Sequence, residues 1–135
     1  MKKTQFILLG FIILIISIIW EFSHFQLYYD LTGISKIPHL LIASIGDLFF
    51  VGILFLIISY KNKTMHWIKS PKYSDYFLII LFGSFISILI EIINLNLGRW
   101  AYRETMPLIL GIGLSPLVQL SITSILSLFI LRKII

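Results

Sequence analysis

Residues 76–97 read YFLIILFGSFISILIEIINLNL, and Glu91 is their one charged side chain. At about 1.5 Å of rise per residue, such a stretch spans the roughly 30 Å hydrocarbon core of a bilayer as a helix. Working outward, residues of about 6–25, 38–60 and 107–131 have the same character. The first holds only Glu21 as a charge, the second only Asp47, and the fourth none. The expected fold class is therefore all-α: a polytopic integral membrane protein, a four-transmembrane-helix bundle forming one domain over residues 1–135.

Composition agrees with that reading. Hydrophobic residues make up 59% of the 135 and charged residues only 13%, against about 25% charged in soluble domains. Mean hydropathy is +1.01. The chain has no cysteine, which excludes disulfides, thiolate catalysis, quinone-linked thiol oxidation and Cys-ligated zinc or iron–sulfur sites. The formal charge of +5 sits at span ends, so it is assigned to membrane topology and no nucleic-acid partner is expected. Lys2, Lys3 and the apolar run to Trp20 resemble the start of a signal peptide. Bulky residues 21–25 replace the small-residue cleavage site, so an uncleaved first helix is expected.

Lys2, Lys3, Lys61, Lys63, Lys69, Lys72, Arg132 and Lys133 fall on one side of the four spans, against Lys36, Arg99 and Arg103 on the other. The positive-inside rule then places both termini in the cytoplasm, with a prokaryotic cytoplasmic membrane as the expected location. Trp20, Tyr28, Tyr29, Trp100 and Tyr102 mark the outer interface. Apart from Asp75, the acids lie toward that side, so the functional face is expected to point outward.

Each span carries a polar or small-residue stripe at helical spacing. These are Gly10, Ser17, Glu21, His24 and Tyr28; His39, Ala43, Gly46 and Asp47; Ser84, Ser87, Glu91, Asn94 and Gly98; and Ser115, Gln119, Thr123 and Ser127. The serines and threonines read as packing glue between helices. The acids read differently, because packing does not require ionisable groups, and a carboxylate at mid-bilayer costs about 2.5–3.5 kcal/mol on insertion scales. Counted along the helices at about 1.5 Å per residue, Glu21, Glu91 and Asp47 lie roughly 7, 9 and 14 Å below the outer boundary. One shared, outward-open pocket is expected, with the Glu91 carboxylate within about one water of Asp47, His24, Arg99 or Gln119.

Glu21-x-x-His24 has the spacing of one half of a carboxylate-bridged di-iron site, but only one such motif is present. The most it supports is a single metal ion on Glu21, His24, Asp47 and Glu91. The preferred reading is no cofactor, with His24 satisfied by a neighbouring carboxylate. A bis-His haem on His24 and His39 is disfavoured, because His39 begins its helix directly after Pro38. In residues 98–106, Arg99 and Arg103 alternate with Trp100 and Tyr102; either the two arginines clamp a phosphate or carboxylate headgroup, or Arg99 snorkels or neutralises Glu91 or Glu104 while the rings only anchor the helix end. Pro116 is expected to kink the fourth span about two turns in, freeing the Ile112 carbonyl beside Gln119.

The functional expectation is a membrane protein that binds a lipid-like or amphiphilic molecule, or acts on it by proton transfer. Glu21, His24, Asp47 and Glu91 form the reacting set, and Asn94, Arg99, Trp100, Tyr102, Arg103 and Gln119 the binding set. No nucleophile motif is present. The alternatives are a proton- or cation-coupled transporter acting as a homodimer, and a noncatalytic subunit of a membrane complex whose acids pair with partner helices.

Overall fold

Long runs of Ile, Leu and Phe, with proline confined to first helical turns, form four helices. The computed structural model describes residues 1–135 and places them in α1 (Lys3–His24), α2 (Lys36–Asn62), α3 (Tyr73–Asn96) and α4 (Leu114–Ile134). All four are long and apolar enough to cross a membrane. On α1 the exposed side chains Ile7, Phe11, Ile15 and Ile19 recur every fourth residue, each more than half exposed. Water would not tolerate such a stripe, so this is the architecture of an integral membrane protein.

Local chemistry fixes the helix ends. Asp75, in the first turn of α3, accepts the Lys72 backbone N–H at 2.9 Å, the Asn62 amide at 2.8 Å and Lys61 Nζ at 3.0 Å. It thereby caps one helix and ties it to the end of another. Between them a 3-10 turn, Met65–Lys69, tucks Trp67 and Ile68 beneath the bundle. The Trp67 indole N–H donates to Ser59 Oγ at 2.7 Å, so its polar atom is satisfied where it is buried. The Met1 amine lies 3.4 Å from His66 Nδ1, and Arg132 donates to the Tyr76 hydroxyl at 3.3 Å. Both termini and the α2–α3 connection therefore share one end of the bundle.

α4 is the most enclosed helix, packing on α1 and α3. Gly83 lets α3 approach it closely: a Cβ there would lie 2.6 Å from Ser121 Oγ and 3.2 Å from the Ser121 backbone nitrogen. α2 and α3 meet each other less along their length. The apolar core, including Ile13, Leu54, Ile58, Ile79 and Leu128, lies toward the terminal end. Buried His24, Glu91, Asn94 and Gln119 occupy the other half.

The far end is closed by strands that hydropathy alone does not foretell. β1 (Tyr28–Asp30) pairs antiparallel with β2 (Trp100–Tyr102), with Tyr28 opposite Tyr102 and Asp30 opposite Trp100. β3 (Leu108–Ile109) pairs with β4 (Ile112–Gly113) around Leu110 and Gly111, whose φ values of 50° and 82° make a two-residue hairpin turn. The expected fourth span from about 107 is corrected accordingly, because its first residues form this hairpin and the helix starts at Leu114. The expected kink is corrected with it. Pro116 stands in the first turn of α4, where a missing N–H costs no helical hydrogen bond.

Candidate functional site

Spacing on each helix and close packing at the centre bring the polar stripes together. Glu21 and His24 share one face of α1 three residues apart, and the imidazole Nε2 lies 3.2 Å from Glu21 Oε2. His24 Nδ1 lies 2.8 Å from Ser115 Oγ at the start of α4. When Glu21 is ionised its carboxylate can only accept, so Nε2 then carries the hydrogen and, in the neutral ring, Nδ1 accepts from the serine hydroxyl. One turn further along α4, Gln119 Nε2 donates to Glu21 Oε1 at 2.7 Å and to Asp47 Oδ2 at 2.6 Å. One amide thus couples carboxyl groups on α1 and α2. The resulting order, Asp47, Gln119, Glu21, His24, Ser115, runs through three helices.

Glu91 stands in a second group. Its Oε2 accepts from the Tyr102 hydroxyl at 2.6 Å and the Trp100 indole at 3.2 Å, and its Oε1 from the Tyr28 hydroxyl at 3.4 Å. The pairing of β1 with β2 puts these donors over the end of α3. Its direct hydrogen-bond partners are thus three aromatic donors, and none of Asp47, His24, Arg99 or Gln119, the partners expected within about one water, bonds to it directly. Tyr28 joins the two groups, since its ring lies edge-on to His24 with centroids 5.3 Å apart. No three carboxylate or imidazole side chains converge as a metal-ligand cluster.

The remaining expected residues brace this end. Asn94 accepts from Arg99 Nη1 at 3.0 Å and donates to the Ile90 carbonyl at 2.8 Å. Arg99 thus meets Asn94 rather than Glu91 or Glu104. Arg103 donates from Nε to the Tyr28 carbonyl at 2.9 Å, and its guanidinium lies 4.3 Å from the centre of the Tyr29 ring. At the mouth, Asp30 accepts from the Thr32 amide and hydroxyl and contacts His39. Slight burial opposes ionisation of Asp30, but the Thr32 and His39 contacts outweigh it and hold the carboxyl below the usual range.

Most of these groups, though not Tyr29, Tyr102 or Ser115, wall one cleft of about 1370 Å³ that lies between α2 and α3 and reaches α1 and α4 at its floor. Glu21, His24, Asp47, Glu91 and Gln119 line it, with Ile42, Phe50, Ile90 and Leu97 as apolar walls. The sequence pattern carried Ser115 and Tyr28 as stripe members, but not as partners of His24 and Glu91. The Asp30–His39 contact had no sequence signal beyond two polar residues flanking a short loop. The chain matches no protein family, no curated protein and no solved structure.

Proposed function

We propose that this is an integral membrane protein that takes an amphiphilic molecule into the α2–α3 cleft and exchanges protons with it through the Glu21–Gln119–Asp47 layer. The observation that carries the reading is that layer's place on the wall of a cleft large enough for an organic guest, which the apolar side chains Ile42, Phe50, Ile90 and Leu97 also line. Glu21 and Asp47, held on one amide, can share a proton, and His24 can relay it through Ser115. Arg99 and Arg103 at the mouth suit a polar group at the interface. In this reading the cleft faces outward and both termini are cytoplasmic, the orientation that the positive-inside rule supports.

A proton-coupled carrier is the second reading, and a specific observation favours it. The hydroxyls of Ser17, Ser87 and Thr123 are buried without a hydrogen-bond partner. They lie one helical turn from Glu21, Glu91 and Gln119 on the same faces, toward the terminal end. Such groups extend polarity below the acid layer.

Gly46 supplies the test. It lines the cleft, and a Cβ built on it meets no atom within 4 Å. Gly46→Leu therefore adds bulk to the cleft wall at a position with open space for its Cβ. Saturable binding of a dansyl-labelled fatty amphiphile to the purified protein should be lost in this variant while its thermal midpoint is kept. Undiminished binding by Gly46→Leu would overturn the cleft as the binding place.

A further inference from the structure

We infer that the cleft selects the head of an alkylammonium amphiphile, seated between the Glu21–Asp47 layer and Ser87; this rests on the amphiphile-binding reading above. The deep wall carries Glu21 from α1, Asp47 from α2 and Glu91 from α3, and no lysine or arginine lies at that depth. The cleft's basic residues all belong to its mouth and are engaged there. Lys36 Nζ lies 3.8 Å from the centre of the Phe25 ring, Arg99 serves Asn94, and Arg103 serves the Tyr28 carbonyl. The one cationisable group among the acids is His24, and its two nitrogens are taken by Glu21 and Ser115. From α4 only the neutral Gln119 and Ser115 face the layer, and from β1 and β2 only the phenols and indole on Glu91. Three carboxyls against one imidazole need a further positive partner, either protons or a cation.

Ser87 is the independent sign of a ligand. It is 3% exposed, its hydroxyl has no hydrogen-bond partner, and it lines the cleft one turn below Glu91. Buried polar atoms are almost always paired, so this hydroxyl marks a place that a donor completes. A primary ammonium has three N–H donors, which suit one hydroxyl and two carboxylates at once. The Tyr28 and Trp100 rings, 6.0 Å apart, line the approach and add cation–π attraction. The apolar side chains Ile42, Phe50 and Ile90 between α2 and α3 take the chain. Entry of the ammonium displaces protons from the acid layer, so cation and protons compete.

The test is calorimetric titration of the purified protein in dodecyl maltoside with dodecylammonium and, as the uncharged probe of equal chain length, dodecanol. Dodecylammonium should bind saturably at one per chain and at least about tenfold more tightly than dodecanol. Its affinity should rise by up to about tenfold per pH unit between about pH 5 and about pH 8, where an alkylammonium keeps its charge. Ser87→Ala should weaken it about fivefold, and Asp47→Asn should flatten the pH dependence. Equal binding of dodecanol, or an affinity indifferent to pH, would overturn the ammonium head while leaving the amphiphile cleft standing. Saturable binding of neither probe would overturn both.

Discussion

Tyr28 and Tyr102 keep Glu91 supplied with donors only while their phenols stay protonated. Burial first, and then the Glu91 carboxylate, push both hydroxyls above the ordinary tyrosine range. A raised folded value means this contribution to stability is complete below the unfolded value of about pH 10 and is lost as pH rises toward the folded one. The protein should therefore lose thermal stability above about pH 10, and Tyr28→Phe, which has no proton to lose there, should lose less. Equal alkaline loss in wild type and variant would detach Tyr28 from the effect. The sequence put Glu91 on a polar stripe but not under these donors. Tyr28 and Trp100 are separated by an entire helical hairpin, and nothing local announces a contact between them.

The helices were legible because runs such as 76–97 have one solution in a membrane, and the stripes were legible because helical spacing is rigid. The short strands were not. A three-residue ladder draws its hydrogen bonds from a partner about seventy residues away, and aromatic residues there read equally well as an interfacial belt. The start of α4 was hidden for a related reason, since Leu108–Ile112 is as apolar as a span and only Gly111 and Gly113 hint at a hairpin. Glycine likewise means different things on different helices. Gly83 is where α3 closes on α4, and a methyl group there meets the Ser121 backbone as well as its hydroxyl. Gly83→Ala should cost about 1–3 kcal/mol as overpacking, read as a lower thermal midpoint in detergent. Gly46→Ala, which meets open space, should leave the midpoint unchanged or raise it, as helix propensity favours alanine over glycine. A tolerated Gly83→Ala would show that the α3–α4 contact is loose.

At the scale of the whole molecule, the bundle is divided along its length into an apolar half near the termini and a polar half beneath the strands. The division matches the charges: the terminal end carries eight of the eleven lysines and arginines, with Lys61 held by Asp75. If basic residues remain where the chain is made, that end is cytoplasmic and the cleft opens outward. A cleft facing outward meets amphiphiles from the outer leaflet or beyond, whereas the opposite topology would expose the acid layer to the cytoplasm and reverse the direction of proton exchange. The absence of cysteine makes the two arrangements separable with single substitutions at exposed positions on opposite ends, Ser70 beside the α2–α3 connection and Thr105 in the β2–β3 loop. In intact cells, an impermeant maleimide should label Thr105→Cys and not Ser70→Cys, and disrupting the membrane should make both reactive. Labelling of Ser70→Cys alone would turn the molecule over, placing the cleft and its proton chemistry inside the cell.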